Sequence, residues 1–160
     1  MIEEDARAGE GLRAAFDLHY AALVRLCLAL GDQREDAEDV VQETFARAAR
    51  SLDGIKPEVV RAYLRRTVIN LRHDRGRMAG KPPDVRASTS TPDLAESIDE
   101  RAVLWTALGD LPNQQRACLV LRFYEDLSER EVASLLGCSV GSVKSHTHRG
   151  SKRLRKDIER

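Results

Sequence analysis

Aromatic residues are scarce in this chain: Phe, Trp and Tyr together make up 4% of 160 residues, and there is a single Trp. What replaces them is Ala, Leu, Arg and Glu, a mix that favours helices over sheets. Cysteine is nearly absent. Cys27, Cys118 and Cys138 form no C-x-x-C pair, and an odd, unpaired set fits reduced thiols in a cytoplasm. No apolar run approaches the roughly 20 residues of a membrane span. The start, "MIEEDARAGEGLR", is acidic and has no apolar core, so no signal peptide is expected. Nor does the chain contain a Gly-rich phosphate loop, a nucleophile–base pair or a paired-carboxylate motif. An enzyme is therefore not expected, and neither is a cofactor, a metal or a small-molecule substrate.

Net charge is also missing, with 26 basic and 26 acidic residues, but the zero hides a pattern. Residues 1–57 hold 12 acids and 7 bases, and residues 58–86 hold 3 and 8. Residues 87–135 hold 9 and 4, and residues 136–160 hold 2 and 7. Two basic segments thus each follow an acidic one. Basic clusters suit a polyanion, while acidic ones suit a basic partner or hold DNA off.

The stretch "MAGKPPDVRASTSTPDLAES" (78–97) has Pro, Ser and Thr and no apolar period, which marks a linker. The expected organisation is all-α: two small helical domains, 1–77 with three to four helices and 98–160, joined by a flexible linker. About 20 extended residues span at most about 70 Å, so the two blocks are free to sit on well-separated surfaces of one target.

In the first block, Leu12, Phe16, Tyr20, Leu23, Cys27 and Leu30 recur at helical spacing until Gly31. Cys27 belongs to this stripe and reads as core. In the next helix Ala37, Val41, Thr44, Phe45, Ala48 and Leu52 form the buried stripe, and Glu35, Asp39, Gln42 and Glu43 lie opposite. Like charges four apart cost about 0.2–0.5 kcal/mol per pair. Acids near a helix N-terminus offset the macrodipole; the other explanation is an acidic face kept for a basic partner. A third helix follows Pro57, with Val60, Tyr63, Leu64, Thr67, Val68 and Leu71 as its stripe. Arg61, Arg65 and Arg72 mark a basic face, flanked by Arg66, Arg75 and Arg77. Guanidinium forks suit phosphate. Asn70, a poor helix former, carries an amide able to donate and accept at once.

In the second block Val103, Leu104, Ala107 and Leu108 pack one helix, with Trp105 over its core, and "GDLPN" ends it. Cys118, Leu119, Leu121 and Phe123 belong to the next. Ser128 and Glu131 fit a capping box opening "EREVASLL". Gly137 ends that helix, and Ser139 caps another running from Val140 to about Arg155. Helix, Gly-containing turn, helix is the helix-turn-helix pattern.

"LGCSVGSVKSHTHRG" (136–150) collects Cys138, His146, His148, Lys144 and Arg149, which invites a metal or redox reading. His146 and His148, however, are two apart, about 200° around a helix. Chelating helical pairs use i, i+4 spacing, and Cys138 has no neighbouring thiol. On the DNA reading, Val140, Val143, Thr147, Gly150 and Leu154 pack inward. Ser142, Lys144, Ser145, His148, Arg149, Lys152 and Arg153 face out, with His146 at the edge. Small polar residues at the N-terminal end admit base edges, and cations behind reach phosphates. Gly141 costs about 1 kcal/mol against Ala but permits close approach.

These residues resemble the extracytoplasmic-function (ECF) group of bacterial σ⁷⁰-family RNA polymerase sigma factors. "DAEDVVQETFARA" is similar to region 2.2, "AYLRRTVINLRHDR" to the helix after the promoter-melting loop, and "LPNQQRACLVLRFYEDLSEREVASLLGCSVGSVKSHTHRGSKRLR" to region 4. The likeness runs from about Leu12 to Arg155, in family order. It implies an alternative sigma factor that binds core polymerase, recognises −10 and −35 elements and melts the promoter. It implies that the acidic face of Glu35, Asp39, Gln42 and Glu43 docks on the β′ clamp helices. It implies a loop at 52–59 that accepts a flipped base, with Arg61, Arg65, Arg66, Asn70 and Arg72 on the −10 DNA. It further implies that Ser139, Ser142, Lys144, Ser145, His146, His148, Arg149 and Lys152 serve the −35 element. Implied partners are core RNA polymerase (β′ clamp, β flap), promoter DNA and an anti-sigma factor, in the cytoplasm and away from membranes. His146, Thr147 and Gly150 depart from the common pattern and resemble an actinobacterial subset. Two rival readings are a free-standing helix-turn-helix regulator and a partner-sequestering mimic. The first leaves the N-terminal block unexplained, and the intact cationic helix argues against the second.

Overall fold

The computed structural model describes residues 2–51, 55–78 and 98–159. The described elements are helices: α1 (Ile2–Ala29), α2 (Arg34–Ala48), α3 (Pro57–Met78), α4 (Ile98–Gly109), α5 (Asn113–Leu119), α6 (Glu129–Leu136) and α7 (Val140–Ile158). Among the described residues there is no strand. After Leu119 the chain continues in a π turn, Val120–Tyr124. The expected linker lies outside the described residues except for Met78, which ends α3. Leu52 also lies outside them, and the 52–59 loop is described only from Ile55.

α1 starts well before Leu12, where the apolar stripe begins. Its first turns, "IEEDARAGEG", are rich in helix formers and acids that favour a helix N-terminus. The N-terminal core joins Leu23, Val24, Cys27 and Leu28 of α1 to Ala37, Val40, Val41, Phe45 and Ala48 of α2 and Val60, Leu64, Val68 and Leu71 of α3. Phe16 stacks on Tyr20 and tilts against Phe45, with ring centroids 4.5 and 5.0 Å away. Thr44 is fully buried because its hydroxyl donates to the Val40 carbonyl at 2.8 Å.

A second apolar cluster crosses between the two blocks of sequence. Leu26, Ala29 and Leu30 and Ile69 of α3 pack with Cys118, Val120, Leu121, Leu127, Val132, Ala133 and Val143. The geometry follows from helical spacing. Leu23 and Cys27 form one i, i+4 row on α1; Leu26 and Leu30 form the neighbouring row, about 100° away, and face the other cluster. On α3, Val68 turns inward and Ile69 turns to the C-terminal helices. Burying such a side chain contributes about 1.5–3 kcal/mol.

Polar groups complete this seam. Gly31 has φ 100°, which only glycine adopts without strain, and a side chain there would run into the Arg116 guanidinium. Arg116 is 2% exposed and donates to the carbonyls of Gly109 and Leu111 at 2.9 and 3.0 Å. Burial, with the Arg72 charge added, lowers its pKa to about 10; Asp32 and Asp110 offset part of this.

Candidate nucleic-acid and polymerase interfaces

The C-terminal reading unit is built by two caps and one left-handed residue. Ser128 accepts from the Glu131 N–H at 3.2 Å, and Glu131 accepts from the Ser128 N–H at 2.7 Å, closing the expected capping box at the start of α6. The Ser128 N–H, with the Ser128 side chain adding to it, holds the Glu131 carboxyl below its ordinary value. Gly137, at φ 65°, ends α6. Ser139 then caps α7: its hydroxyl accepts from the Ser142 N–H at 3.0 Å and lies 2.9 Å from the Ser142 hydroxyl.

Along α7, Val143 and Gly150 are buried and hold the helix down. A Cβ on Gly150 would stand 3.0 Å from Leu119 Cδ1 and 3.2 Å from Gln115 Cβ, so glycine lets α7 lie close on α5. Lys144, His148, Arg149 and Lys152 are exposed, and Ser142, Ser145 and His146 are half-buried. Ser139 is exposed at the tip. These eight residues run from the cap at Ser139 to Lys152 and spread over about half the circumference of α7. The two histidines diverge: His148 stands in solvent, while His146 Nδ1 is buried without a hydrogen-bond partner among the described residues. Lys144 lies 3.8 Å from Glu129 of α6, a loose pair on an exposed surface.

The acidic residues of α2 stand where the spacing puts them. Glu35, Asp39 and Gln42 are exposed. Glu43 is half-buried and accepts from Arg47 Nε at 2.9 Å, and Glu38 pairs with Arg34 at 3.5 Å.

The expected basic face of α3 is divided. Arg66 and Asn70, four apart, are exposed together. Arg61, Arg65, Ile69 and Arg72 form the adjoining row at steps of four, four and three, and this row faces the seam. Arg65 Nη1 meets a Glu125 carboxylate oxygen at 3.0 Å, and Arg61 Nη2 meets the same carboxylate at 3.3 and 3.4 Å. Arg72 donates to Asp32 and to the Leu30 carbonyl. Burial alone would lower the Arg72 pKa, but the Asp32 hydrogen bonds and charge outweigh it, and the net direction is upward. The apolar Ile69 amid three arginines was the sequence signal that this row makes contacts within the fold.

One surface does not follow from helical spacing. Val103 and Leu104, expected in a core, are 46% and 37% exposed, and Phe123 is 66% exposed. Leu104, Trp105, Leu108, Phe123, Tyr124 and Ile158 instead line an apolar groove of about 560 Å³ between α4, the π turn and the end of α7. Trp105 meets Tyr124 edge-on at 6.2 Å.

The thiols are sheltered. Cys27 and Cys118 are fully buried. Burial, with Asp32 beside it, pushes Cys27 up to about 12, and burial with Cys138 nearby pushes Cys118 up to about 11. Cys138 is half-buried in the α6–α7 turn.

Residues 15–81 match the family model described as sigma-70 region 2, and residues 101–154 match sigma-70, region 4. The RNA polymerase sigma-E factor of Streptomyces avermitilis is 37% identical over 142 residues, covering 86% of this chain and 79% of that relative. The ECF RNA polymerase sigma factor SigL of Mycobacterium tuberculosis is 33% identical over 163 residues, covering 92% and 89%. The solved structure of CnrH in complex with the cytosolic domain of CnrY superposes with a TM-score of 0.63 at 26% identity, covering 98% of this chain and 95% of that one. This chain belongs to the sigma-70 family of RNA polymerase sigma factors, within its ECF group. It is an alternative sigma factor that directs transcription initiation, in a family of non-enzymatic regulators that bind core RNA polymerase and promoter DNA. No helix among the described residues is long and apolar enough to cross a membrane.

Proposed function

We propose that the chain is a two-headed promoter reader of the cytoplasm that carries out no bond chemistry itself. The observation that carries this reading is α7, capped by Ser139, held down by Val143 and Gly150, and presenting small polar residues ahead of exposed cations. A second helix of a helix-turn-helix pair enters the major groove by its N-terminal end. Ser139, Ser142, Lys144, Ser145 and His146 then meet the −35 element there, with His148, Arg149 and Lys152 along phosphates. Arg66 and Asn70 present the exposed −10 face of α3, with Arg61 and Arg65 on the adjoining row. Arg72 serves the fold through Asp32. The domains are 1–77, which docks on polymerase and opens the −10 element, and 98–160, which reads −35, with 78–97 as the linker.

Glu35, Asp39, Gln42 and Glu43 form the face for the β′ clamp helices, a basic partner for an acidic row. The apolar groove suits an amphipathic helix laid in by its apolar face, which fits the β flap of the polymerase. An anti-sigma segment would compete for the same groove; the similar structure of CnrH was solved in complex with the cytosolic domain of CnrY.

The test mixes the purified chain with core polymerase and genomic DNA fragments and maps transcript starts. The expected result is core-dependent initiation at a shared two-part promoter. Operator binding by the chain alone, with no core-dependent starts, would instead support a free-standing regulator.

A further inference from the structure

The three thiols of the chain are not equivalent. Cys27 is fully buried in the N-terminal core, a cluster that contains no other cysteine. Cys118 and Cys138 stand 20 positions apart in sequence, yet the fold puts them in one apolar cluster. Cys118, on α5, is among its fully buried members, and Cys138, in the α6–α7 turn, packs against it. Burial, and after it the nearby Cys138, pushes Cys118 up to about 11. Cys138 is the one half-buried thiol of the three. Solvent therefore meets Cys138 first, while Cys118 stays protonated behind it. The turn between them is closely held. The Cys138 N–H donates to the Ala133 carbonyl at 3.1 Å, Gly137 before it is left-handed, and Ser139 after it caps α7.

We propose that Cys118 and Cys138 are a reversible thiol pair, closed by a hydroperoxide into a disulfide that draws the α6–α7 turn onto α5 and lowers −35-dependent initiation. The effect on initiation rests on the reading of α7 as the −35 helix. In the first step the Cys138 sulfur attacks the peroxide: an S–O bond forms, the O–O bond breaks, and the thiol proton leaves in water. In the second the Cys118 sulfur attacks the sulfenic acid: the S–S bond forms, the S–O bond breaks, and the Cys118 proton leaves in a second water. The two sulfurs lose two electrons and the peroxide gains them. A dithiol reopens the bridge by exchange, so in a reducing compartment the bridge is transient, as redox-sensing disulfides are. Bonded sulfurs stand closer than packed ones, so closure moves the turn by about an ångström or more. That turn carries the cap and the N-terminal end of α7, the end by which such a helix enters the major groove.

The test uses the full chain, treated with hydrogen peroxide and freed of it before core polymerase is added, with circular dichroism to confirm helix content. After alkylation in denaturant and trypsin digestion, the expected product is peptide 117–122 joined to peptide 131–144 through Cys118 and Cys138, with Cys27 alone alkylated. Initiation at the mapped two-part promoter is expected to fall about tenfold, as for the loss of one base contact, and to return with dithiothreitol. Cys138→Ser and Cys118→Val are each expected to lack the joined peptide and to keep initiating after peroxide. A dimedone trap on early wild-type samples is expected to mark Cys138, which checks the order of steps without any variant. Thiols that all remain alkylated, a Cys138 oxidised past sulfenic acid with Cys118 free, or a bridge to Cys27 or to a second chain overturns the proposal. So does a 118–138 bridge that leaves initiation unchanged. The −35 reading is tested apart, in the reduced chain, by Lys144→Ala with Arg149→Ala. Wild-type initiation by that variant would sink the reading, while the thiol pair stands or falls on the peptide map and the wild-type response to peroxide.

Discussion

Arg72 donates to both carboxylate oxygens of Asp32, Nε at 2.6 Å and Nη2 at 2.8 Å, and with Nη2 also reaches the Leu30 carbonyl at 3.1 Å. One side chain of α3 thus fastens the turn after α1, where the buried Arg116 lies against Gly31. Both partners are about 15% exposed, so removing one leaves a poorly hydrated charge. Asp32→Ala is expected to cost about 2–4 kcal/mol, read as a lower urea midpoint. Arg72→Lys, which keeps the charge but not the fork, should recover only part of that loss relative to Arg72→Ala. A neutral result for Asp32→Ala would leave Arg72 available as a −10 DNA contact.

Gly141 offers a cleaner separation of fold from function. A Cβ there meets only Ser139 Oγ, at 3.8 Å, so Gly141→Ala is expected to stabilise the chain by up to about 1 kcal/mol. The same methyl stands on the face proposed to approach base edges. A raised melting temperature together with weaker −35-dependent initiation is the expected pair of results; unchanged initiation would place the groove contact elsewhere on α7.

Lys144 and Arg149 are assigned to the −35 DNA, and Lys144 has only a 3.8 Å pair with Glu129 to lose. Changing both to Ala should weaken −35-dependent initiation, reduce the magnitude of the salt slope of binding by about 1 through the Arg149 phosphate contact, and leave core binding near wild type. Loss of core binding would show that α7 faces polymerase.

Asp39 is exposed on α2 and Glu43 is tied to Arg47. Asp39→Arg is therefore the better single probe of the clamp face. It is expected to weaken core binding at least tenfold, with a melting curve close to wild type. Normal core binding by a folded Asp39→Arg chain would remove α2 from the interface.

The Ser128–Glu131 capping box predicts a pH effect of definite sign. The folded-state pKa of Glu131 is lowered by its Ser128 donors. Its contribution is therefore present above the unfolded value and is lost as pH falls through the folded one. Glu131→Gln, which keeps the capping geometry without the titrating charge, should flatten the loss of stability as pH falls below the ordinary carboxylate range. Identical acid profiles for variant and wild type would place the acid sensitivity in other carboxylates.

Several of these residues were legible from spacing alone, because local rules decide them. The stripe Ala37, Val41, Thr44, Phe45 and Ala48, the S-x-x-E box, the Gly137 stop and the Ser139 cap all depend on neighbours within one or two turns. So does the outward set on α7, since two inward positions orient the rest. Leu104, grouped by its spacing with core residues, is 37% exposed and lines the groove, because an apolar residue facing a groove has the same period as one facing a core.

The sequence by itself determined that the chain is helical, where its helix-turn-helix lies, and which charges alternate along it, since periodicity, caps and composition act at short range. Only the tertiary structure decided that Arg61 and Arg65 meet Glu125, that Arg72 meets Asp32, and that Ile69 completes a core shared by both halves. Those pairings join residues 40 to 64 positions apart. An arginine on a helix has the same local pattern whether it awaits a phosphate or already holds a carboxylate, and the packing of α3 against the C-terminal helices selects between them.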